Sequence, residues 1–223
     1  MDRLTFAYSH RERYLDWAGQ VSTGPWSVAD RVEWAVISAH TPFAASVDGW
    51  RKTRGLVELE DMAEALAWAG VVGPAKKAAW CLTVRAGLVS GEIPPPTAPF
   101  AAWRKGVKIA GLGWCKQSFA ACLVEPLTAD IICLDTHMIQ AVYERRPTQR
   151  EIGAVHANNF RYAAIESRLL HEAQEIGVLP FPYQWAVWDW TRARTMRVPP
   201  SDHSFLWRGG ATAQQLPLFS GEA

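Results

Sequence analysis

Two glycines, a lysine and an aspartate carry the chemistry this sequence offers. Gly111 and Gly113 sit in the corner Ile109-Ala110-Gly111-Leu112-Gly113, between segments of helical character, and Lys116 follows within one turn. A Gly-x-Gly corner of this kind is too tight for side chains, and its successive backbone N–H groups can converge on one anion. Beside a helix N-terminus such a nest suits a phosphate, with Lys108 and the Trp114 end of the next helix at hand. The same two glycines also occur as plain helix punctuation. Asp135 closes an apolar approach (Ile131, Ile132, Cys133, Leu134) and opens another helix, in the run Leu134-Asp135-Thr136-His137. A carboxylate there is either an N-cap or a poised catalytic group.

The elements that must hold these residues are helical throughout. Apolar residues recur at helical spacing over 9–18, 28–38, 43–54, 60–69, 75–86, 100–108, 116–124, 135–143 and 158–176, and a last segment starts at Pro182. Ser27 is an N-cap, Pro74 sits well as the first residue of its helix, and Gly177 follows the end of another. His40-Thr41-Pro42 breaks the second helix, Ile93-Pro94-Pro95-Pro96 cannot be helix interior, and Arg145-Arg146-Pro147 closes the helix begun at Asp135. Almost nothing alternates with period two, so the fold class expected is all-α, without internal repeats.

Composition narrows the setting. A chain of 223 residues can bury one sizeable core or two small lobes, and 49% hydrophobic with 20% charged residues describes an ordered protein. The net charge is only +1, so any nucleic-acid site must come from local clustering rather than a global field. Twelve Trp supply stacking surface as well as core. The four cysteines (Cys81, Cys115, Cys122, Cys133) lack Cys-x-x-Cys spacing, which argues against a zinc site or a closely spaced iron–sulfur motif; no metal and no cofactor is expected, although a monovalent cation at the hairpin is compatible with it. There is no signal-peptide pattern and no apolar run near 18 residues, so the expectation is a cytoplasmic protein without a membrane partner.

The order hairpin, short helix, then Leu134-Asp135-Thr136-His137 resembles the helix-hairpin-helix DNA glycosylase superfamily of the endonuclease III and oxoguanine glycosylase type. Val36-Ile37-Ser38-Ala39-His40-Thr41 is similar to that family's Leu-Leu-Ser-Ala-Gln-Thr helix end, and Lys77-Ala78 after Gly73 to its Gly-x-x-x-Lys-Ala helix. The likeness spans about residues 30 to 145. Two positions depart from it. Ala110 stands where the family has the hairpin proline, and Cys115 stands where the catalytic lysine lies, two residues after the second glycine. Lys116 is one residue later, nineteen before Asp135, close to the spacing in the oxoguanine branch.

The resemblance implies a two-lobed helical fold with the active site in the cleft between lobes. Residues 26–125 would form the middle lobe with the hairpin at 107–116, residues 1–25 and 126–198 the second, and 199–223 an irregular tail. It implies a monomeric DNA glycosylase that extrudes a modified or damaged base from double-stranded DNA. Asp135 would stabilise the sugar cation and Lys116, if nucleophilic, would add strand-cleaving lyase activity. Gly111, Gly113, Lys108 and Trp114 would hold the DNA backbone. His40 would fill the gap left by the extruded base, and Trp185, Trp188, Asp189 and His137 would line the base pocket. Lys116 is equally readable as a phosphate contact, and the late aromatics as core. Two rival functions keep the hairpin: a base-hypermodifying transferase acting on an exocyclic group, and a non-catalytic DNA-binding module.

Overall fold

The computed structural model describes residues 1–196, and these are all-helical, with one isolated bridge between Ile109 and Leu112. The expected tail at 199–223, and the last two residues of the expected second lobe, lie outside the described residues. The helices are α1 (Arg3–Ser9), α2 (Arg11–Thr23), α3 (Val28–Ile37), α4 (Phe43–Thr53), α5 (Leu59–Trp68), α6 (Pro74–Ser90), α7 (Phe100–Gly106), α8 (Trp114–Val124), α9 (Thr136–Tyr143), α10 (Gln149–His156), α11 (Asn159–Glu175) and α12 (Pro180–Met196).

Side-chain caps set five of the helix starts among the described residues, those of α1, α3, α9, α10 and α11. Ser27 accepts from the Asp30 N–H while the Asp30 carboxylate accepts from the Ser27 N–H, so two orphan donors of α3 are satisfied reciprocally. The Thr148–Glu151 pair does the same for α10. No helix is expected here from the sequence: Pro147 reads as a stop, although the Thr148–Glu151 capping box directly after it is a local start signal. The short α1 was also missed. Its docking depends on Arg3, whose guanidinium bonds both oxygens of Glu172, at 3.0 and 2.5 Å, and the Ala141 carbonyl at 3.1 Å. Those partners are more than a hundred residues away, beyond any local pattern.

The helices pack in two sets. In one, α3 lies against α4, α6 and α8, with α5 on α4 and α6, and α7 on α8; in the other, α12 is the centre, flanked by α1, α2, α9 and α11, with α10 on α11. The sets meet through α2 on α8 and through ring contacts, Phe43 edge-on and Phe119 tilted against Trp185. A buried ion pair also joins them: Arg104 of α7 meets Glu166 of α11 at 2.7 Å. Among the described residues no helix is long and apolar enough to cross a membrane.

Candidate active site

The hairpin is built as the glycine spacing requires. The Leu112 N–H donates to the Ile109 carbonyl at 3.0 Å, both side chains are buried, and Gly111 sits at φ +80°. Gln117 closes the base by donating to the Val107 carbonyl at 2.8 Å. Gly113 is the N-cap of α8, with no side chain over the first-turn amides and no acidic residue in that turn. An anion could therefore reach free N–H groups at a positive dipole end. Lys108 and Gly113 are exposed beside it; Trp114 is half-buried beneath the Arg104 guanidinium, which lies 4.5 Å from its ring centre.

Trp80 of α6 covers Gly111. A Cβ there would lie 2.3 Å from Cε3 of the Trp80 ring, and the left-handed backbone by itself costs a side chain about 1–2 kcal/mol. Gly111→Ala is therefore expected to lower Tm by roughly 4 °C or more and to weaken binding to duplex DNA at least about tenfold, measured by calorimetry and by fluorescence anisotropy.

The segment before Asp135 is held at each step by a distant side chain. The Ile132 N–H donates to Glu166 at 3.0 Å, the Cys133 N–H to Gln184 at 2.7 Å and the Leu134 N–H to the Tyr162 hydroxyl oxygen at 3.0 Å. Non-helical backbone crossing a buried region must find such partners. The result is a half-buried Asp135 with little freedom. One carboxylate oxygen accepts from the Met138 N–H at 2.9 Å as the N-cap of α9, and the other accepts from the Trp188 indole at 2.9 Å. Capping and a chemical role are thus not alternatives here, because the cap aims the carboxylate.

Around Asp135 stand half-buried rings. Trp188 packs edge-on to His137 at 5.5 Å and meets Phe43 at 5.8 Å, and the Arg192 guanidinium lies 4.3 Å from the Trp188 ring centre. The His137 Nδ1 atom is buried with no hydrogen-bond partner among the described residues. His40, exposed at φ +54°, is one of the two non-glycine residues in the left-handed region among those described, a conformation that costs energy and marks functional loops. Lys77 braces that loop. Its ammonium donates to the Ile37 carbonyl at 2.7 Å, to the Thr41 hydroxyl at 2.5 Å and to the Ala39 carbonyl, at the C-terminal end of α3. Burial and the nearby charge of Lys116 push Lys77 down to about 8, yet three acceptors keep it an ammonium at neutral pH.

Lys116 is half-buried, with its ammonium 5.2 Å from the Phe119 ring centre. Beneath it, the sulfurs of Cys115 and Cys133 lie 3.4 Å apart, and both residues are buried. The S–H of Cys133 together with His156 and Lys116 draws the Cys115 thiol well below its ordinary value, while that same contact and burial push Cys133 up. Lys116 directly follows Cys115 and Asp135 lies two residues past Cys133, and the charges of both act on the Cys133 sulfur.

Two expected pocket residues do not join this group. Trp185 is 4% exposed and fills the interior between Trp17 at 4.5 Å, Trp188 at 5.2 Å and Phe43 at 5.4 Å, so it backs the wall instead of facing a base. Asp189 is 1% exposed and accepts from the Tyr14 hydroxyl at 2.7 Å, which turns its carboxylate toward α2. Five contributors went unrecognised in the sequence: Phe43, Lys77, Cys133, His156 and Arg192. The i, i+4 spacing of Trp188 and Arg192 was a usable signal, as were the place of Cys133 two residues before Asp135 and the Lys77-Ala78 match; Phe43 and His156 are joined to the site only by tertiary contacts.

The sequence matches no protein-family model and no curated protein. Solved structures do resemble it. The 8-oxoguanine DNA glycosylase of Methanocaldococcus jannaschii superposes with TM-score 0.70 at 15% identity over 88% of this chain and 95% of that one. A second structure, the 8-oxoguanine glycosylase/lyase of the same organism in complex with a 15mer DNA containing 8-oxoguanine, gives 0.69 at 13% identity over 87% and 97%. The 8-oxoguanine DNA glycosylase of Thermotoga maritima gives 0.65 at 16% identity over 89% and 98%. The chain has the helical fold of these DNA glycosylases, as the hairpin and the Leu134–His137 run led one to expect.

Proposed function

We propose, with that shared fold as premise, that the protein is a DNA glycosylase that removes a modified base from double-stranded DNA, and that 8-oxoguanine is the first substrate class to test. The observation that carries the reading is the arrangement of Asp135. It is half-buried, fixed through both oxygens, and lies two residues past Cys133, whose sulfur touches that of Cys115, the residue before Lys116. In the reaction the hairpin amides take a backbone phosphate and His40 occupies the space of the extruded nucleotide. The base lies against the Trp188 and Phe43 edge, beside His137. As the glycosidic bond breaks, Asp135 stabilises the positive charge growing at C1′. The Lys116 amine then attacks C1′, its proton passing to Asp135, and the resulting imine leads on to strand cleavage.

Borohydride trapping on an 8-oxoguanine duplex tests the whole sequence of steps. A covalent protein–DNA adduct that is lost in Lys116→Ala, with strand cleavage falling at least about a hundredfold, is the expected outcome. Base release that survives in Lys116→Ala would instead leave a hydrolytic, single-activity enzyme with Asp135 activating water.

One observation favours a second reading. The position two residues after Gly113 is the buried Cys115, so the amine is displaced by one residue around the helix. A transferase that exchanges a group on the base's exocyclic carbon needs the fold, the extrusion and the carboxylate, but no amine at C1′. Mass spectrometry of treated DNA separates the two, since transfer changes the base and leaves no abasic site.

A further inference from the structure

We propose that Cys115 and Cys133 form a redox-active dithiol, oxidised by hydroperoxides to a disulfide that ties the first turn of α8 to the segment leading into Asp135. The sulfurs are already 3.4 Å apart, on residues 18 positions apart in the chain, and a bond of about 2.05 Å needs an approach of less than 1.5 Å. Each backbone is held independently. Cys115 lies in the helix capped by Gly113, and Cys133 is fixed by its N–H bond to Gln184. The pair is asymmetric, as a reacting dithiol should be. The Cys133 S–H and the neighbouring His156 favour the Cys115 thiolate, whereas the contact with Cys115 and burial keep the proton on Cys133; the charge of Lys116 acts on both. His156 is in turn anchored at the Leu134 carbonyl, 2.7 Å from Nε2, and is itself raised by the Cys115 sulfur.

The remaining two cysteines are built-in controls. Cys81 donates weakly to the Glu33 carbonyl at 3.9 Å and Cys122 to the Ile131 carbonyl at 3.4 Å; both are fully buried and burial pushes both thiols up. Neither has a sulfur partner of its own among the described residues. With hydrogen peroxide, the Cys115 thiolate attacks one oxygen, the O–O bond breaks, and the departing hydroxide takes a proton to become water. The Cys133 thiol then gives up its proton to the hydroxide it displaces from the Cys115 sulfenic acid, yielding the disulfide and a second water. Two thiols lose two electrons and one peroxide gains them. Because Lys116 follows Cys115 directly and Asp135 is two residues past Cys133, the bond forms between the supports of the two groups assigned to base removal, and it abolishes the thiolate charge facing Lys116.

The test treats the reduced full-length protein with stoichiometric hydrogen peroxide, followed by alkylation and a non-reducing peptide map. Expected are the loss of two of the four thiols, one Cys115–Cys133 cross-linked peptide, a rise in Tm of roughly 5–10 °C, and full reversal by dithiothreitol. Cys133→Ser should stop at a Cys115 sulfenic acid that dimedone captures, while Cys81→Ser should form the disulfide unchanged. Should Cys133→Ser fail to fold, phenylarsine oxide, which bridges adjacent thiols, should protect Cys115 and Cys133 together in the unaltered protein. Peroxide modification at Cys81 or Cys122, or a Cys115 sulfinic acid beside a free Cys133, overturns the proposal. Base release from an 8-oxoguanine duplex should fall at least about tenfold on oxidation and return on reduction; equal turnover in both forms would refute the coupling to the site. A reduced protein that releases no base refutes the glycosylase assignment alone, and the peptide map still decides the disulfide.

Discussion

Asp135→Asn should reduce base release by about a hundredfold or more while leaving duplex affinity within about twofold of the unaltered protein. The substitution is informative because it separates the two jobs of this side chain. Asparagine is as good an N-cap as aspartate, so the bond from the Met138 N–H survives and α9 keeps its start. The other oxygen is the sensitive one. It accepts from the Trp188 indole, and the asparagine amide must either turn its NH2 toward that donor or give up the cap. The cost of one compromised hydrogen bond is about 1 kcal/mol, or roughly 2–4 °C in Tm. A hundredfold kinetic loss with so small a stability change points to the missing charge rather than to unfolding. Turnover and affinity are read from single-turnover excision and anisotropy on the same duplex. Unchanged excision would reduce Asp135 to a cap and place the catalytic carboxylate elsewhere, whereas no excision by the unaltered protein would favour the non-catalytic module.

The largest expected stability effect lies away from the chemistry, at Glu166→Ala. Glu166 is 5% exposed, and its carboxylate accepts from two nitrogens of Arg104 at 2.8 and 2.7 Å and from the Ile132 N–H at 3.0 Å. Truncation leaves the Arg104 guanidinium buried at 2% exposure without its counter-charge. Breaking a buried pair from one side costs about 3–5 kcal/mol, because the surviving charge has lost water and partner alike. The predicted fall in Tm is about 10 °C or more, by calorimetry. The double variant Arg104→Met with Glu166→Leu should be less damaged than Glu166→Ala, since no charge is then stranded. Excision should suffer too, as Ile132 is three residues before Asp135 and its amide would lose its anchor. A double variant as unstable as Glu166→Ala would show that shape rather than charge governs this contact.

Much of the site was legible because it obeys local rules. Gly111 and Gly113 announce a corner with a positive φ and an open helix start, and Asp135 announces a cap after a buried approach. These inferences need only the neighbouring residues, and the spacing from Lys116 to Asp135 follows from chain order. The Thr148–Glu151 capping box is an equally local signal, for α10. Helix α12 was legible as a helix but not as a set of faces, since Phe181 to Val187, Asp189 and Thr191 are all buried and leave no polar stripe to mark the outside. That is why Trp185 and Asp189 were placed in the pocket with Trp188.

By itself, the sequence determined the all-helical class, the hairpin and the position of its carboxylate, because capping, glycine geometry and helical periodicity act over a few residues. Only the tertiary structure decided which groups meet across the chain: the Trp188 indole on an aspartate 53 positions earlier, Cys115 on Cys133, Arg104 on Glu166, Arg3 on Glu172. Such contacts depend on how the twelve helices of the described residues share one interior, where long-range burial selects a partner and local spacing has no say.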